Sequence, residues 1–247
     1  MIEMDSVTVR YYDQKIVSNI SVTIDDGKFH VIMGPNGGGK TTLMKALVGL
    51  LPYEGKIKID GIDHKKYIKD HSIGYLAQRG TQFSSFPIPA IEVVEMGRYR
   101  FKDSRKMRKN KAYDFLKIIG MEKFANKRID EMSGGQQQRI LMARALATES
   151  KILVLDEPLT GMDPQAQSMF YEMIKNIKEN FALTVIMSSH DVGFVSEYAD
   201  NILCINGVLI PHGKAAKVLS SEDIAQLYGL NIGIVEHHHL HSDKDDV

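Results

Sequence analysis

An eight-residue string, Gly34–Pro35–Asn36–Gly37–Gly38–Gly39–Lys40–Thr41, constrains this chain more than any other feature. It fits G-x-x-x-x-G-K-[ST] and stands between the apolar run His30–Met33 and a segment whose Leu43, Ala46, Leu47 and Leu50 recur at helical spacing. A strand that turns through glycines into a helix leaves several backbone N–H groups pointing inward, and the helix N-terminus adds positive potential. Such a loop cradles phosphate. Lys40 has the reach for β- and γ-phosphates, and the Thr41 hydroxyl is suited to ligate Mg2+. Asn36, Gly37, Gly39 and Thr42 complete the expected nucleotide-binding loop.

A second string supplies the chemistry such a loop lacks. Ile152–Leu153–Val154–Leu155–Asp156–Glu157 is an apolar strand ending in two carboxylates. A carboxylate at the tip of a buried strand can hold Mg2+ beside the phosphates, which is the role expected of Asp156. A second carboxylate one residue on can poise a water for in-line attack, which is the role expected of Glu157. These two strings specify a P-loop NTPase and nothing finer. A GTPase needs a guanine-reading Asn-Lys-x-Asp, and in Asn126–Lys127–Arg128–Ile129–Asp130 the Asp comes one place late. A small-molecule kinase stays open at this point.

A third string narrows the choice. Met132–Ser133–Gly134–Gly135–Gln136–Gln137–Gln138–Arg139 precedes the carboxylate strand by about one helix. Ser and two glycines opening a helix make a second anion-binding end. One chain then has one ATP loop but two phosphate-ready helix ends, which a head-to-tail pair of chains resolves. This string resembles the L-S-G-G-Q signature of the ABC ATPases, with Met132 in place of Leu. The resemblance covers about residues 1 to 230 and implies an α/β fold: a P-loop NTPase core with an inserted α-helical subdomain and an N-terminal antiparallel β subdomain. It further implies that Ser133, Gly135 and Gln136 meet the partner's ATP. Gln78 matches the glutamine that touches Mg2+ or the water, Asp163 the D-loop aspartate, and His190 the histidine that contacts the γ-phosphate. Tyr11 stands where the family stacks an aromatic ring on adenine, with Tyr12 its neighbour and competitor.

The rest of the chain agrees with one such domain over 1–235, with its helical part at about 79–147 between Arg79 and Ala147. Strand-like runs (Ile2–Arg10, Ser18–Ile24, Phe29–Met33, Gly55–Ile59, Ser72–Leu76) precede that part, and Lys151–Leu155 and Leu183–Ser188 follow it. Alternating strands and helices predict a doubly wound core. The 31 Lys and Arg balance 31 Asp and Glu, so there is no basic excess for nucleic acid, and no nucleic-acid partner is expected. The basic stretch Arg98 to Lys111 reads as a solvated helical face. The single cysteine, Cys204, sits in an apolar run, reads as a buried core thiol and excludes a disulfide within the chain. No run approaches the roughly 18 apolar residues that span a bilayer. A peripheral protein on the cytoplasmic face of the membrane is expected.

One cassette without a long coiled coil resembles a separate transporter subunit. Such a subunit couples to an integral membrane permease and, indirectly, to an extracytoplasmic metal-binding protein. The stretch Phe86–Arg98 is similar to the same region in zinc/manganese import ATPases, and siderophore and cobalamin importers share related versions. A cytosolic ABC ATPase that remodels nucleic acid or ribosomes is the alternative of a different class. The tail 236–247, with His237, His238, His239 and His241, is polar and expected to be disordered. Its imidazoles add a vote for zinc over manganese. Two plainer readings are a solvated end without a role and a remnant of expression.

Overall fold

Strand β1 (Ile2–Tyr11) and strand β2 (Gln14–Ile24) form a hairpin whose alternating burial sends Ile2, Val7, Val9, Val17 and Ile20 inward. In the computed structural model, which describes residues 1–78 and 87–219, β2 begins four residues before the expected Ser18. The reason is the turn. Tyr11 pairs directly with Gln14, and Tyr12 takes the left-handed backbone that so tight a turn demands. After β2 comes β3 (Phe29–Met33), buried throughout, and then α1 (Lys40–Leu47). Next are β4 (Glu54–Ile59), β5 (Ile62–Asp63), α2 (His64–Asp70) and β6 (Gly74–Leu76). Helices α3 (Ala90–Glu95), α4 (Arg105–Ile118) and α5 (Gly134–Leu146) follow, before β7 (Ile152–Leu155). The chain continues through α6 (Pro164–Phe181), β8 (Thr184–Ser188), α7 (Val192–Tyr198), β9 (Asn201–Asn206), β10 (Val208–Lys214) and α8 (Ala215–Leu219).

Among the described residues there are two sheets. The antiparallel one runs β2-β1-β4-β5, and the larger runs β10-β9-β3-β8-β7-β6. In the larger sheet β9, β3, β8, β7 and β6 are parallel neighbours, and only β10 is antiparallel. Parallel strands covered on both faces must be apolar throughout, and β3, β7 and β8 are buried at every residue. Three helices, α3 to α5, are inserted between the adjacent strands β6 and β7. Their apolar faces (Ile91, Val94, Phe115, Leu116, Ile140) join the same core as Leu153 and Val185. On α6, Phe170, Ile174 and Ile177 recur at helical spacing and face that core. Each contributes on the order of 1.5–3 kcal/mol by leaving water. Cys204 is buried, as its apolar run required.

The basic stretch divides in two. Arg105, Lys106 and Lys109 are exposed on α4, but Arg98 is 2% exposed and does not belong to a solvated face. Its guanidinium donates to Asp103 at 2.6 Å and to the Ala147 carbonyl at 3.2 Å, pairs with Glu149 at 2.8 Å, and lies over the Phe101 ring. A planar, multiply donating cation is the side chain such a site accepts.

Two histidines are built in as neutral groups. The His64 ring is bonded to the Leu47 carbonyl and the Tyr53 hydroxyl, and the His30 ring to the Asp25 carbonyl. Burial holds both below the ordinary histidine value of 6.5. The unfolded chain therefore binds more protons near pH 6, and their contribution to stability is present above about 6.5 and lost as pH falls below it. The urea midpoint is expected to drop between pH 7.5 and 5.5, and to drop less steeply in His64→Gln. Equal slopes in the two proteins would show that His64 is not buried in the neutral form.

Candidate active site

The site is assembled where β3, β6, β7 and β8 end side by side. After β3 the chain turns through Gly34 to Gly39 into α1, and Gly39 begins that helix in the left-handed conformation with no side-chain cap. The first turn of α1 carries no acidic residue, so its N–H groups and positive end are turned to whatever the loop holds. Lys40 is 5% exposed, and its ammonium donates to the Gly34 and Pro35 carbonyls at 2.8 and 3.1 Å. It lies 3.8 Å from the Glu157 carboxylate. The loop is anchored to the β9–β10 turn, where the Gly207 N–H donates to the Gly38 carbonyl at 2.9 Å.

Asp156 follows β7 and is fully buried. Its Oδ1 accepts the Thr41 hydroxyl at 3.0 Å and the Ser188 hydroxyl at 2.9 Å, and its Oδ2 lies 3.5 Å from the Tyr75 hydroxyl. Burial pushes its carboxyl upward, while the Ser188 and Thr41 hydroxyls favour the ionised form. A carboxylate and a hydroxyl in direct contact are a hard-oxygen pair of the kind Mg2+ takes, so these residues fit that ion. Glu157, with a left-handed backbone, donates its N–H to the Ser188 hydroxyl at 2.7 Å. Its carboxylate accepts from the Gln78 amide at 2.7 Å and the Thr160 hydroxyl at 3.4 Å. Glu157, Thr160, Tyr171, Ser188 and His190 line one cavity of about 180 Å³.

The expected residues thus fall into two sets. Lys40, Thr41, Asp156, Glu157 and Gln78 are linked by hydrogen bonds and ion pairs, in part through Ser188, and His190 lines a cavity with Glu157. The other set stands apart. Ser133 caps α5: its hydroxyl accepts the Gln136 N–H, and the Gln136 side chain accepts the Ser133 N–H, a reciprocal capping box. Asp163 caps α6 by accepting the Ala166 N–H at 2.9 Å. Among the described residues no hydrogen bond or ion pair joins Ser133, Gln136 or Asp163 to the loop or the carboxylates. A Cβ on Gly135 would meet nothing within 4 Å, so this helix end faces open space. Tyr11 is 57% exposed at the end of β1, with the Tyr12 ring edge-on to it at 5.7 Å. The hairpin carrying both lies against the loop, since a Cβ on Gly39 would meet the Val17 side chain at 2.6 Å. Four residues of the site were not expected from sequence: Tyr75, Thr160, Tyr171 and Ser188. A polar residue closing the apolar run of β8 was the signal for Ser188, but its use depends on β8 lying beside β7. The tail histidines His237, His238, His239 and His241, and Phe86, lie outside the described residues.

Comparison with known proteins gives three relatives of note. The model of the ABC transporter family matches residues 17–160. The manganese transport system ATP-binding protein MntB of Halalkalibacterium halodurans is 35% identical, over 100% of this chain and 97% of that protein. The zinc transport system ATP-binding protein TroB of Treponema pallidum is 32% identical, over 92% of this chain and 86% of its own length. Among solved structures, the dimeric post-hydrolysis state of the ATP-binding cassette MJ0796, bound to ADP and Pi, superimposes with a TM-score of 0.75. It is 29% identical, and the match covers 87% of this chain and 99% of that one.

Proposed function

The chain belongs to the ABC transporter family, and we propose that it powers the import of a divalent metal ion through a separate membrane permease. It is an ATP hydrolase of the ABC type. The observation that carries the site assignment is the unbroken run of contacts from Thr41 through Asp156, Ser188 and Glu157 to Gln78. Nucleotide-binding loop, metal-side carboxylate and water-side carboxylate are thereby one mechanical unit.

Each residue has a task in this reading. Lys40 exchanges the Gly34 and Pro35 carbonyls for β- and γ-phosphate oxygens when ATP enters. Thr41, Asp156 and Gln78 would hold Mg2+, which when bound neutralises charge on the phosphates. Glu157, aimed by Gln78 and Thr160, orients the attacking water and takes up its proton. His190, across the cavity, contacts the γ-phosphate. Tyr11 supplies a ring for the adenine. Ser133, Gly135 and Gln136 offer a helix end whose first turn holds no acidic residue. A second copy arranged head to tail brings its ATP phosphates there, and Asp163 stands at that junction. The dimeric state of the MJ0796 cassette supports this arrangement. ATP then closes the pair and hydrolysis lets it open, which moves the attached permease. We assign residues 1–235 to one ATPase domain with its helical part inserted at about 79–147.

A divalent metal as cargo is supported by the relatives, whose names divide between manganese and zinc. Zinc is the choice the His-rich tail favours. An extracytoplasmic metal-binding protein would deliver the ion. No described helix is long and apolar enough to cross a membrane; in this reading attachment is by way of the permease. The test is uptake of zinc, manganese and iron in cells lacking this gene, complemented with wild type or Glu157→Gln. Uptake of zinc or manganese is expected to fall and to return with wild type alone. If neither metal responds, the cargo assignment fails.

A further inference from the structure

Tyr171 lies on α6, eight residues after Asp163, and is 5% exposed. It lines the cavity that holds Glu157 and His190. Its hydroxyl interacts with the Ser189 side chain, which lines the same cavity. The Ser189 oxygen also accepts the Asp191 N–H at 3.1 Å. These two contacts bracket His190, one residue before it and one after. The Tyr171 ring stacks on Tyr198, with centroids 5.7 Å apart and planes 22° from parallel. Tyr198 ends α7, the helix that starts two residues beyond His190, and its hydroxyl donates to Glu172 of α6 at 2.8 Å. At the start of α7 the Val195 N–H donates to the Asp191 carbonyl at 3.1 Å. One helix, α6, therefore grips the His190 segment on both sides.

A phenylalanine would fill the same space without a polar atom. Taking a hydroxyl out of water costs free energy unless it is bonded, so its presence here is accounted for by what it holds. Burial raises the phenol above its ordinary value, and the Ser189 side chain acts in the opposite direction.

We propose that Tyr171 is a positioning residue for hydrolysis: its hydroxyl and ring fix the Ser189–Asp191 turn and α7 so that the His190 side chain is presented to the γ-phosphate. This rests on the reading of His190 as the γ-phosphate contact. Tyr171 acts through His190, so its loss slows turnover without weakening ATP capture. Because Asp163 caps the start of α6, the helix that aims His190 also begins at the proposed junction with the second copy.

The test uses the full chain and compares Tyr171→Phe, which keeps the ring, with Ser189→Ala, the double variant and His190→Ala. Steady-state ATP hydrolysis, thermal unfolding and amide exchange over 187–195 are measured for each. Tyr171→Phe is expected to lower kcat roughly 3- to 10-fold, the range one ordinary hydrogen bond provides, with KM within about 2-fold. Exchange at Ser189 to Asp191 should quicken while the unfolding temperature stays unchanged. The double variant should be no slower than the slower single one, since both remove the same contact. A wild-type kcat in Tyr171→Phe, a proportional rise in KM, or losses that multiply in the double variant would each overturn the positioning role. His190→Ala separates the two failures. If it hydrolyses ATP at the wild-type rate, the reading of His190 falls and takes this proposal with it. If it is impaired while Tyr171→Phe is not, only the positioning role falls.

Discussion

Glu157→Gln is expected to lower ATP turnover at least about 100-fold while leaving ATP affinity within about 3-fold. The substitution is nearly isosteric, and a glutamine oxygen can still accept the Gln78 amide that now lies 2.7 Å from the carboxylate. It also keeps the 2.7 Å bond from the residue 157 N–H to Ser188, which depends on the backbone alone. What disappears is the negative charge and the basicity needed to take a proton from water. That charge also lies 3.8 Å from the Lys40 ammonium. Removing it frees Lys40 for phosphate, so binding is not expected to suffer. A stalled enzyme with intact affinity should accumulate as an ATP-held dimer. Sedimentation with and without ATP, beside turnover and equilibrium binding, checks all three parts. A turnover loss under about 3-fold would mean that another group handles the proton, with the Glu157 position then a matter of structure only.

The parts of this site that were legible in the sequence are those whose chemistry is local. A loop that must curl around phosphate needs its glycines, lysine and threonine within one string. A strand tip needs its two carboxylates adjacent. Ser133 and Gln136 fall three apart because a capping box has that spacing. The parts that were not legible depend on sheet order. The larger sheet runs β3-β8-β7-β6, so β7 lies between two strands that are distant in sequence on either side of it. That order brings Ser188 from β8 and Tyr75 from β6 to the same carboxylate. Nothing in either local string announces this. Arg98 misled for a related reason. In a run of cations it looks like one more solvated charge, and only the fold reveals Asp103, Glu149 and the Ala147 carbonyl around it. Tyr171 belongs to none of the strings the sequence singles out, and its hydroxyl acquires meaning only beside Ser189.

The same substitution, Gly→Ala, is expected to have opposite effects on stability at two places in this site and the same effect on activity. At Gly34 an added Cβ would fall 2.0 Å from the Ile205 carbonyl oxygen, and φ is +150°. That atom is backbone of a central strand, β9, and cannot swing aside. Gly34→Ala is therefore expected to cost about 2–4 kcal/mol, or roughly 5–15 °C in unfolding temperature, and to abolish nucleotide binding by pushing the loop off the sheet. At Gly135 a Cβ meets nothing within 4 Å, and the residue lies in the first turn of α5. Alanine there favours the helix by up to about 1 kcal/mol. Yet in a head-to-tail dimer the face that is open in one chain is the face that closes on the partner's phosphates. A methyl group holds that contact off by about an ångström, which is enough to cost on the order of 100-fold in rate. Gly135→Ala is thus expected to be as stable as wild type or more so, to bind ATP normally as a monomer, and to hydrolyse it poorly. Calorimetry and turnover on the two variants decide both points. Full stability in Gly34→Ala would contradict the seating of the phosphate loop on β9. Normal hydrolysis in Gly135→Ala would mean that this helix end never meets nucleotide, and the composite site between two copies would have to be abandoned.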